Sequence, residues 1–346
     1  MAKKFKQHNH PGFWDIDIKL SKISSLGDPL EKLEKGVDFE LFRETLDAGL
    51  TSNPKGHGGR PPYDYVLMFK ILVLQRFYNL SDEQAEFQVN DRMSFMRFLG
   101  LTFADDIPDA RTIWHFRERL VGLGLVDSLF TRFLGVLEGI GLVGNEGRIV
   151  DASFVEVPIQ RNTREENAEI KKGETPESFK QDPNVLAQKD VDARWVQKNG
   201  QNYYGYKNHV KMDSSSKLLV SYTVTDASVH DSQVLGELLD ERDRGLSLNA
   251  DAAYVGDEIE ALLAKMEMPN KVNEKGYAGH PLTEGQKENN REKSRTRARV
   301  EHAFAFMEMS MHGMYVYAIG KKRVTAMVGM MNLVYNMFRM TQLFAA

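Results

Sequence analysis

The sequence predicts an α/β fold in which a domain with a mixed β-sheet follows an all-helical N-terminal domain. Residues 39–142 carry apolar side chains at helical spacing and show little strand signal. A β-rich run begins at residue 148, and two further strands joined by a turn come after it. Strand and helix then alternate, which is typical of an α/β domain. We therefore predict a helical domain over residues 1–143 and an α/β domain over residues 144–346.

Separate sequence signals predict the helices of the first domain. One helix is predicted around Phe39 to Leu50, and the turn-rich stretch TSNPKGHGGRPP after it is predicted to be a loop. The apolar segment YDYVLMFKILVLQRFY predicts a buried helix. Ser81, with Gln84 three residues later, has the form of a capping box. Asp109 is placed to cap the helix ARTIWHFRERLVGLG, and DSLFTRFLGVLEGIG predicts one more.

The helices between Ser81 and Gly124 have the spacing of a helix-turn-helix, a pattern that DNA-binding domains share with many all-α folds. Arg111, Arg117 and Arg119 lie on or near one of these helices. Two interpretations stay open. The arginines contact DNA, or they belong to an ordinary solvated helix face.

The second domain is predicted to contain four strands. They lie in RIVDASFVEV, in NYYGYKNHVKMDSSSKLLVSYTVTDA (two strands with a turn at residues 213–216) and in LSLNADAAYVG. The segments HDSQVLGELLDERDR and DEIEALLAKM predict helices. Polar stretches near residues 156–200 and 273–292 are predicted insertions. Polar residues interrupt the Met-rich end RVTAMVGMMNLVYNMFRMTQLF, so we predict a packed amphipathic helix with methionines as core filler, not a membrane span.

Composition and charge limit the function. The formal net charge is −4, yet residues 271–346 carry 12 Lys and Arg against 6 Asp and Glu. A basic C-terminal part is compatible with nucleic-acid binding even when the whole chain is acidic. The chain has no cysteine, so any metal must be held by oxygen or imidazole. The first residues, MAKKFKQHNHPGFW, have no apolar segment typical of a signal peptide, and we predict a cytoplasmic protein without a membrane partner.

Three carboxylates stand out by their positions. Asp151 lies in the middle of an apolar strand, Asp251 ends another strand, and Glu301 follows the basic run RTRAR on a predicted helix. Each alone has an ordinary explanation, as a hydrogen-bonded strand residue, a loop cap or a solvated helix residue. Brought together, they would repel one another unless cations lay between them. Mg²⁺ prefers such oxygen ligands, and two ions about 3.5–4 Å apart support phosphoryl transfer.

The order of these acids resembles that of the DDE transposases, whose catalytic domain has an RNase H-like fold. The local sequences are similar, more specifically, to the bacterial insertion-sequence-5 transposase family over Gly59 to about Phe306. The matching segments are GRPPYDYVLMFKILVLQRFYNLSDEQAE, PDARTIWHFRERL, VDASFVE, GYKNHV, HDSQ, ADAAYVG and RARVEHAF.

This resemblance implies a DNA transposase with Asp151, Asp251 and Glu301 as its catalytic, metal-binding residues. It further implies two Mg²⁺ or Mn²⁺ ions per active site. The implied partner is double-stranded DNA, as terminal inverted repeats and as target. The implied enzyme is a homo-oligomer, at least a dimer when it pairs two ends. Two alternatives stay open: a decayed or domesticated relative that only binds DNA, and a metal-dependent nuclease without strand transfer.

Four basic residues are candidate contacts to DNA phosphates: Arg295, Arg297, Arg299 and Lys207. Only Arg297, four residues before Glu301, shares the helix face of that acid. Its alternative is an ordinary ion pair with Glu301. Lys207, on a strand, faces either DNA or solvent.

Three further residues are candidates to orient the metal ligands. His302 follows Glu301 but points about 100° away from it around a helix, which favours a supporting or core role. His230 and Asp231 also match the family, and their alternative role is to start a helix. The family pattern departs at Glu308, seven residues after Glu301, where the resemblance implies a lysine that binds phosphate.

Overall fold

The N-terminal part of the chain is helical, as the sequence predicts. The computed structural model describes residues 12–51, 61–198, 200–277 and 279–345, so most of the predicted loop TSNPKGHGGRPP lies outside the described residues. A 3₁₀ turn at Phe39–Phe42 precedes the third helix. The helices are α1 (Asp15–Ser25), α2 (Pro29–Gly36), α3 (Arg43–Leu50), α4 (Tyr65–Phe77), α5 (Asp82–Asp91), α6 (Met93–Leu99), α7 (Ala110–Leu123) and α8 (Leu125–Gly139).

The predicted helix starts are confirmed at the level of hydrogen bonds. Ser81 Oγ accepts from the Gln84 amide at 3.2 Å, and Gln84 Oε1 accepts from the Ser81 amide at 2.9 Å. Asp109 Oδ1 accepts from the amide of Thr112 at 2.7 Å. These side chains satisfy amides that a helix leaves unpaired at its first turn. The sequence analysis did not predict α1, α2 or α6.

A five-stranded mixed sheet forms the centre of the second part. Its strands are β1 (Gly147–Glu156), β2 (Arg194–Lys198), β3 (Gln201–Asp213), β4 (Leu219–Asp226) and β5 (Ser247–Asn249). The order is β2-β3-β1-β5, and β4 also pairs with β3. All pairs are antiparallel except β1 with β5, which is parallel. The predicted mixed α/β fold is thereby confirmed.

Several elements of the second part differ from prediction. The stretch near 156–200 is folded: it holds α9 (Arg164–Lys171), α10 (Glu177–Lys180), α11 (Pro183–Gln188) and the sheet strand β2. The helix predicted at residues 230–244 is broken into two 3₁₀ turns and α12 (Leu235–Leu238). The helix α13 (Asp257–Lys265) matches its prediction, and α14 (Glu284–Arg297) begins inside the second polar stretch.

The last helix, α16 (Lys321–Ala345), is buried on all sides at its centre, so the prediction of an amphipathic helix is wrong. Every residue from 328 to 338 is buried, because this segment contacts helices α2, α4 and α8 as well as strand β4. Its methionines do fill the core, as predicted: Met331 and Met337 are fully buried. One hydrophobic cluster includes residues of the helical region, the sheet and α16, and the domain boundary predicted at residue 143 stays a prediction.

Within the described ranges, no single helix is long and apolar enough to cross a membrane. The pair Ala110–Leu123 and Leu125–Gly139 meets that criterion only when taken together, with a bend of 80° between its halves.

Candidate active site

Two of the predicted carboxylates lie side by side because neighbouring strands carry them in parallel. β1 and β5 pair with Ile149 opposite Asn249. Two residues further along each chain come Asp151 and Asp251, so both acids are at the same level of the sheet. Asp251 comes after the end of β5, where its Oδ1 accepts the amide of Ala253 at 2.8 Å and starts a 3₁₀ turn. This turn explains why β5 is only three residues long.

Asp151 is held in a poorly solvated position in the middle of β1. Its side chain is 16% exposed. Burial raises the pKa of its carboxyl to about 6, and the negative charge of Asp251 adds to the effect. The amide of Ala152, at 2.8 Å, and the guanidinium of Arg297 act in the opposite direction on the pKa. A carboxyl with this raised pKa is a candidate cation ligand, because a bound cation would compensate for the solvation that the carboxylate loses on burial.

Glu301 is linked to one of the two aspartates, Asp151, through an arginine. Helix α14 ends at Arg297, Ala298 separates the two helices, and α15 (Arg299–Ala305) carries Glu301. Arg297 Nη1 is 3.1 Å from Asp151 Oδ2, and its Nη2 is 3.4 Å from Glu301 Oε1. The guanidinium thus bridges both acids. The ion pair with Glu301 that was an open alternative is present, together with a contact to Asp151 that no spacing rule predicts.

The donor set fits a hard divalent cation by its chemistry. Three carboxylates supply only oxygen ligands, which Mg²⁺ and Mn²⁺ prefer. A positive group, the guanidinium of Arg297, already lies between two of them. Among the described residues, however, no three His, Asp or Glu side chains stand close enough together to hold an ion. Glu301, whose side chain is 65% exposed, would have to turn towards the aspartates to join them in holding an ion.

Lys207 and Asp231 form an ion pair beside the site. The Lys207 ammonium donates to Asp231 Oδ1 at 2.8 Å and to the carbonyl of Val229 at 2.7 Å. Lys207 is buried, which argues against its predicted role as an open phosphate contact. His230 takes its alternative role: its Nδ1 accepts the amide of Ser232 and starts the 3₁₀ turn that carries Asp231.

The remaining predicted basic residues face different partners. Arg299 donates to the carbonyl of Ser214 at 2.6 Å, in the turn between β3 and β4. Arg295 is exposed on α14 and can still meet a phosphate. His302 is also exposed, so a core role is excluded, and its predicted role in orienting the metal ligands stays a prediction.

The chain widens into a π-helix at Phe306–Ser310, immediately after α15. A π turn contains about one extra residue, so positions beyond it leave the face expected for a regular helix. Glu308 lies inside this turn and is exposed. The spacing of seven residues that predicts a phosphate-binding lysine at position 308 is a rule for a regular helix, and the backbone here is not regular.

Two buried polar residues near the site were missed. Tyr254 is buried, its hydroxyl has no hydrogen-bond partner among the described residues, and the charges of Asp231, Asp151 and Asp251 join burial in raising its pKa. His209 Nε2 is 2.8 Å from Thr225 Oγ1, while its buried Nδ1 has no hydrogen-bond partner among the described residues and lies 4.0 Å from Asp231 Oδ1. His209 lies in the segment GYKNHV, which matches the family but was not used to single it out; nothing in the sequence distinguishes Tyr254 from a core tyrosine.

Two of the three arginines of the helical region have structural partners. Arg117 binds both carboxylate oxygens of Asp82, at 2.5 and 2.8 Å. Arg119 donates to the carbonyl of Leu50. Arg111 is exposed. Of the three, Arg111 is therefore the best placed for a DNA contact.

Comparison with known protein families settles the relationship that this geometry suggests. Residues 144–337, more than half of the chain, match the family model of the transposase DDE domain. The chain belongs to the DDE transposase family. Residues 18–119 of this transposase match a second model, the transposase domain DUF772. Members of the family are metal-dependent enzymes that transfer DNA phosphoryl groups, and the narrower insertion-sequence-5 assignment stays a prediction.

Among solved structures, the transposase is similar to the cryo-EM structure of the piggyBac transposase synaptic complex with hairpin DNA. The TM-score is 0.45 at 12% sequence identity, over 93% of this chain and 76% of the other.

Proposed function

We propose that this transposase cuts DNA at the ends of an insertion sequence and joins those ends to target DNA, with Asp151, Asp251 and Glu301 as its catalytic carboxylates. The observation that carries the proposal is the pairing of β1 with β5, which places two aspartates at one level of the sheet. Glu301 is connected to Asp151 through Arg297. These contacts support a shared role for three acids that come from distant parts of the chain.

Both reactions are displacements at phosphorus. In the first, water attacks a phosphodiester at the element's end, and the bond from phosphorus to the 3′ oxygen breaks, which releases a 3′-hydroxyl and a 5′-phosphate. In the second, that 3′-hydroxyl attacks a target phosphodiester, forms a new bond to phosphorus and displaces the target's own 3′ oxygen. Two divalent ions, Mg²⁺ or Mn²⁺, would stabilise the attacking and leaving oxygens when bound.

The chain's own residues prepare these steps. Asp151 is partly buried and poorly solvated, and Asp251 accepts the amide of Ala253, so both acids keep fixed positions for cation binding. Exposed Glu301 completes the set by rotating. Arg297 can exchange its contacts with the acids for hydrogen bonds to a DNA phosphate, because the phosphate oxygens match the geometry of the planar guanidinium.

The proposed partner is double-stranded DNA, both as terminal inverted repeats and as target. The excess of Lys and Arg over Asp and Glu in residues 271–346 supports this partner. We further propose a homo-oligomer, at least a dimer, because two ends must be joined in one reaction. A cytoplasmic location belongs to the same proposal, since the enzyme must reach DNA. DNA affinity should fall steeply with salt, because bound phosphates release counterions.

A cleavage assay on DNA that carries the element's own ends tests the proposal. We expect nicking that depends on Mg²⁺ or Mn²⁺ and that is lost in Asp151→Asn, Asp251→Asn and Glu301→Gln. The matched control is Asp257→Asn, an exposed acid six residues after Asp251. Equal cutting by the three variants and the parent would remove these residues from the catalytic role.

The same assay separates the alternatives. A product that joins donor to target DNA excludes a simple nuclease. Specific binding without cutting, over a range of metals, would instead favour a decayed relative, for which the missing lysine at Glu308 is the sequence argument.

A further inference from the structure

Arg297 is the cation that contacts both Asp151 and Glu301, and its contacts are long. Its two nitrogens lie 3.1 Å from Asp151 and 3.4 Å from Glu301, whereas strong charge-assisted hydrogen bonds measure about 2.7–2.9 Å. Its Nε is buried and has no hydrogen-bond partner among the described residues. The guanidinium is therefore attracted by two acids but forms no short hydrogen bond with either. Such a group can move away from both acids at little cost.

The position of Arg297 in the chain also favours movement. It is the last residue of α14, and the backbone leaves regular helix geometry at Ala298 (φ −57°, ψ −12°). The Arg297 side chain is 24% exposed, so solvent and a DNA backbone can reach it. Glu301, on the other side of this kink, is more exposed still. Both can turn without disturbing the buried strand that holds Asp151.

We propose that in the DNA-free protein Arg297 competes with divalent cations for Asp151 and Glu301, and that a DNA phosphate ends this competition by taking over the guanidinium. The proposal rests on the function proposed above and adds an order to it: the metal is bound weakly until DNA arrives. Coupling between two ligands is reciprocal, so the metal must strengthen DNA binding by the same factor by which DNA strengthens metal binding.

The coupling has a simple electrostatic origin. A guanidinium between two carboxylates lowers the negative charge that a metal ion would meet, and it repels the ion directly. A phosphate that draws Arg297 away restores both negative charges to the site. Such a device would suppress cutting before the DNA is in place.

Titration of the full chain with Mn²⁺, followed by calorimetry, tests the coupling without any activity measurement. The proteins are the parent, Arg297→Gln, Arg297→Lys, Asp151→Asn and the control Arg291→Gln, which removes the same charge from an exposed position on the same helix. Without DNA, we expect Arg297→Gln to bind Mn²⁺ about tenfold tighter than the parent, a factor within the usual range of coupling. Arg291→Gln should stay within about twofold of the parent, since exposed charges are screened. Arg297→Lys should fall between them, because an ammonium lacks the fork that bridges two acids.

A second titration adds a duplex oligonucleotide taken from the DNA that flanks the reading frame. We expect this duplex to tighten Mn²⁺ binding to the parent but not to Arg297→Gln. Equal Mn²⁺ affinity of the parent and Arg297→Gln, with binding lost in Asp151→Asn, would overturn the competition and leave the proposed site intact. Unchanged binding in Asp151→Asn would instead overturn the metal site itself. Melting temperatures in EDTA check that every variant is folded.

Discussion

The side-chain amides of Asn208 and Asn332 hydrogen-bond each other in both directions, between the sheet and the last helix. Asn208 Nδ2 donates to Asn332 Oδ1 at 2.8 Å, and Asn332 Nδ2 donates to Asn208 Oδ1 at 3.2 Å. Both residues are fully buried. One turn further along α16, Asn336 accepts the amide of Leu219 and donates to its carbonyl, both at 2.8 Å. Polar pairs of this kind fix the position of an otherwise apolar helix.

We expect Asn332→Ala to lower the free energy of unfolding by about 1–3 kcal/mol, because it leaves the buried amide of Asn208 without a partner. Urea denaturation measures the change. The double variant Asn208→Val with Asn332→Leu should lose less than the sum of its single variants, since no unpaired polar group remains. Additive losses would show that the two amides act independently.

A second buried network should be more sensitive to the loss of one partner than the pair of Asn208 and Asn332. Lys211, with a side chain 1% exposed, donates to Asp243 at 2.5 Å and to Asp240 at 2.9 Å. Arg148 pairs with Asp243 and Asp213, both at 2.9 Å. Lys211→Met should lower the free energy of unfolding by about 3–5 kcal/mol, because it leaves buried negative charge uncompensated.

An exposed ion pair provides the control for Lys211→Met. Arg244 and Glu267 are joined at the surface, and Arg244→Ala should change the free energy of unfolding by less than about 1 kcal/mol. If Lys211→Met were as mild as Arg244→Ala in urea denaturation, the network would carry no net electrostatic stabilisation.

The sequence predicts those helices and strands that depend on residues close together in the chain. The capping box at Ser81 needs only a spacing of three residues, and the strand that carries Asp151 needs only its apolar neighbours. The burial of α16 was missed because Asn332 and Asn336 resemble an exposed polar face until their partners, more than a hundred residues earlier, are known. The contact of Arg297 with Asp151 spans 146 residues and is set by the fold.

The free energy of unfolding should depend on pH because the His209 imidazole is protonated in the unfolded chain but not in the folded protein. The pKa of His209 is lowered to about 4, chiefly by burial; Asp231 opposes this shift and Lys207 supports it. The folded protein therefore holds a neutral imidazole, whereas the unfolded chain takes up a proton below its ordinary pKa of about 6.5. Stability from this group is complete above pH 6.5 and is lost as the pH falls towards 4, by about 1.4 kcal/mol per pH unit.

Urea denaturation at several pH values, with parent and His209→Asn compared, isolates this contribution from that of the carboxyl groups. The stability advantage of the parent should shrink between pH 6.5 and 4. A constant difference would mean that the imidazole is not neutral in the folded state.

Arg76 is a buried charged residue whose desolvation we expect to lower the stability of the folded protein. It is 4% exposed, donates to Asn79 Oδ1 at 2.9 Å and forms no salt bridge among the described residues. Burial lowers the pKa of its guanidinium to about 10. Its surroundings include Leu72, Val126 and Met330, which would accept an apolar side chain. Arg76→Met should therefore leave the free energy of unfolding unchanged or raise it, by up to about 1 kcal/mol, because an apolar side chain avoids the desolvation penalty.

The matched variant Arg132→Met, at an exposed arginine, should change the free energy of unfolding by less than about 0.5 kcal/mol. A loss of more than about 2 kcal/mol in Arg76→Met, measured by thermal or urea unfolding, would mean that this guanidinium is a structural anchor with stronger bonds than its contacts indicate.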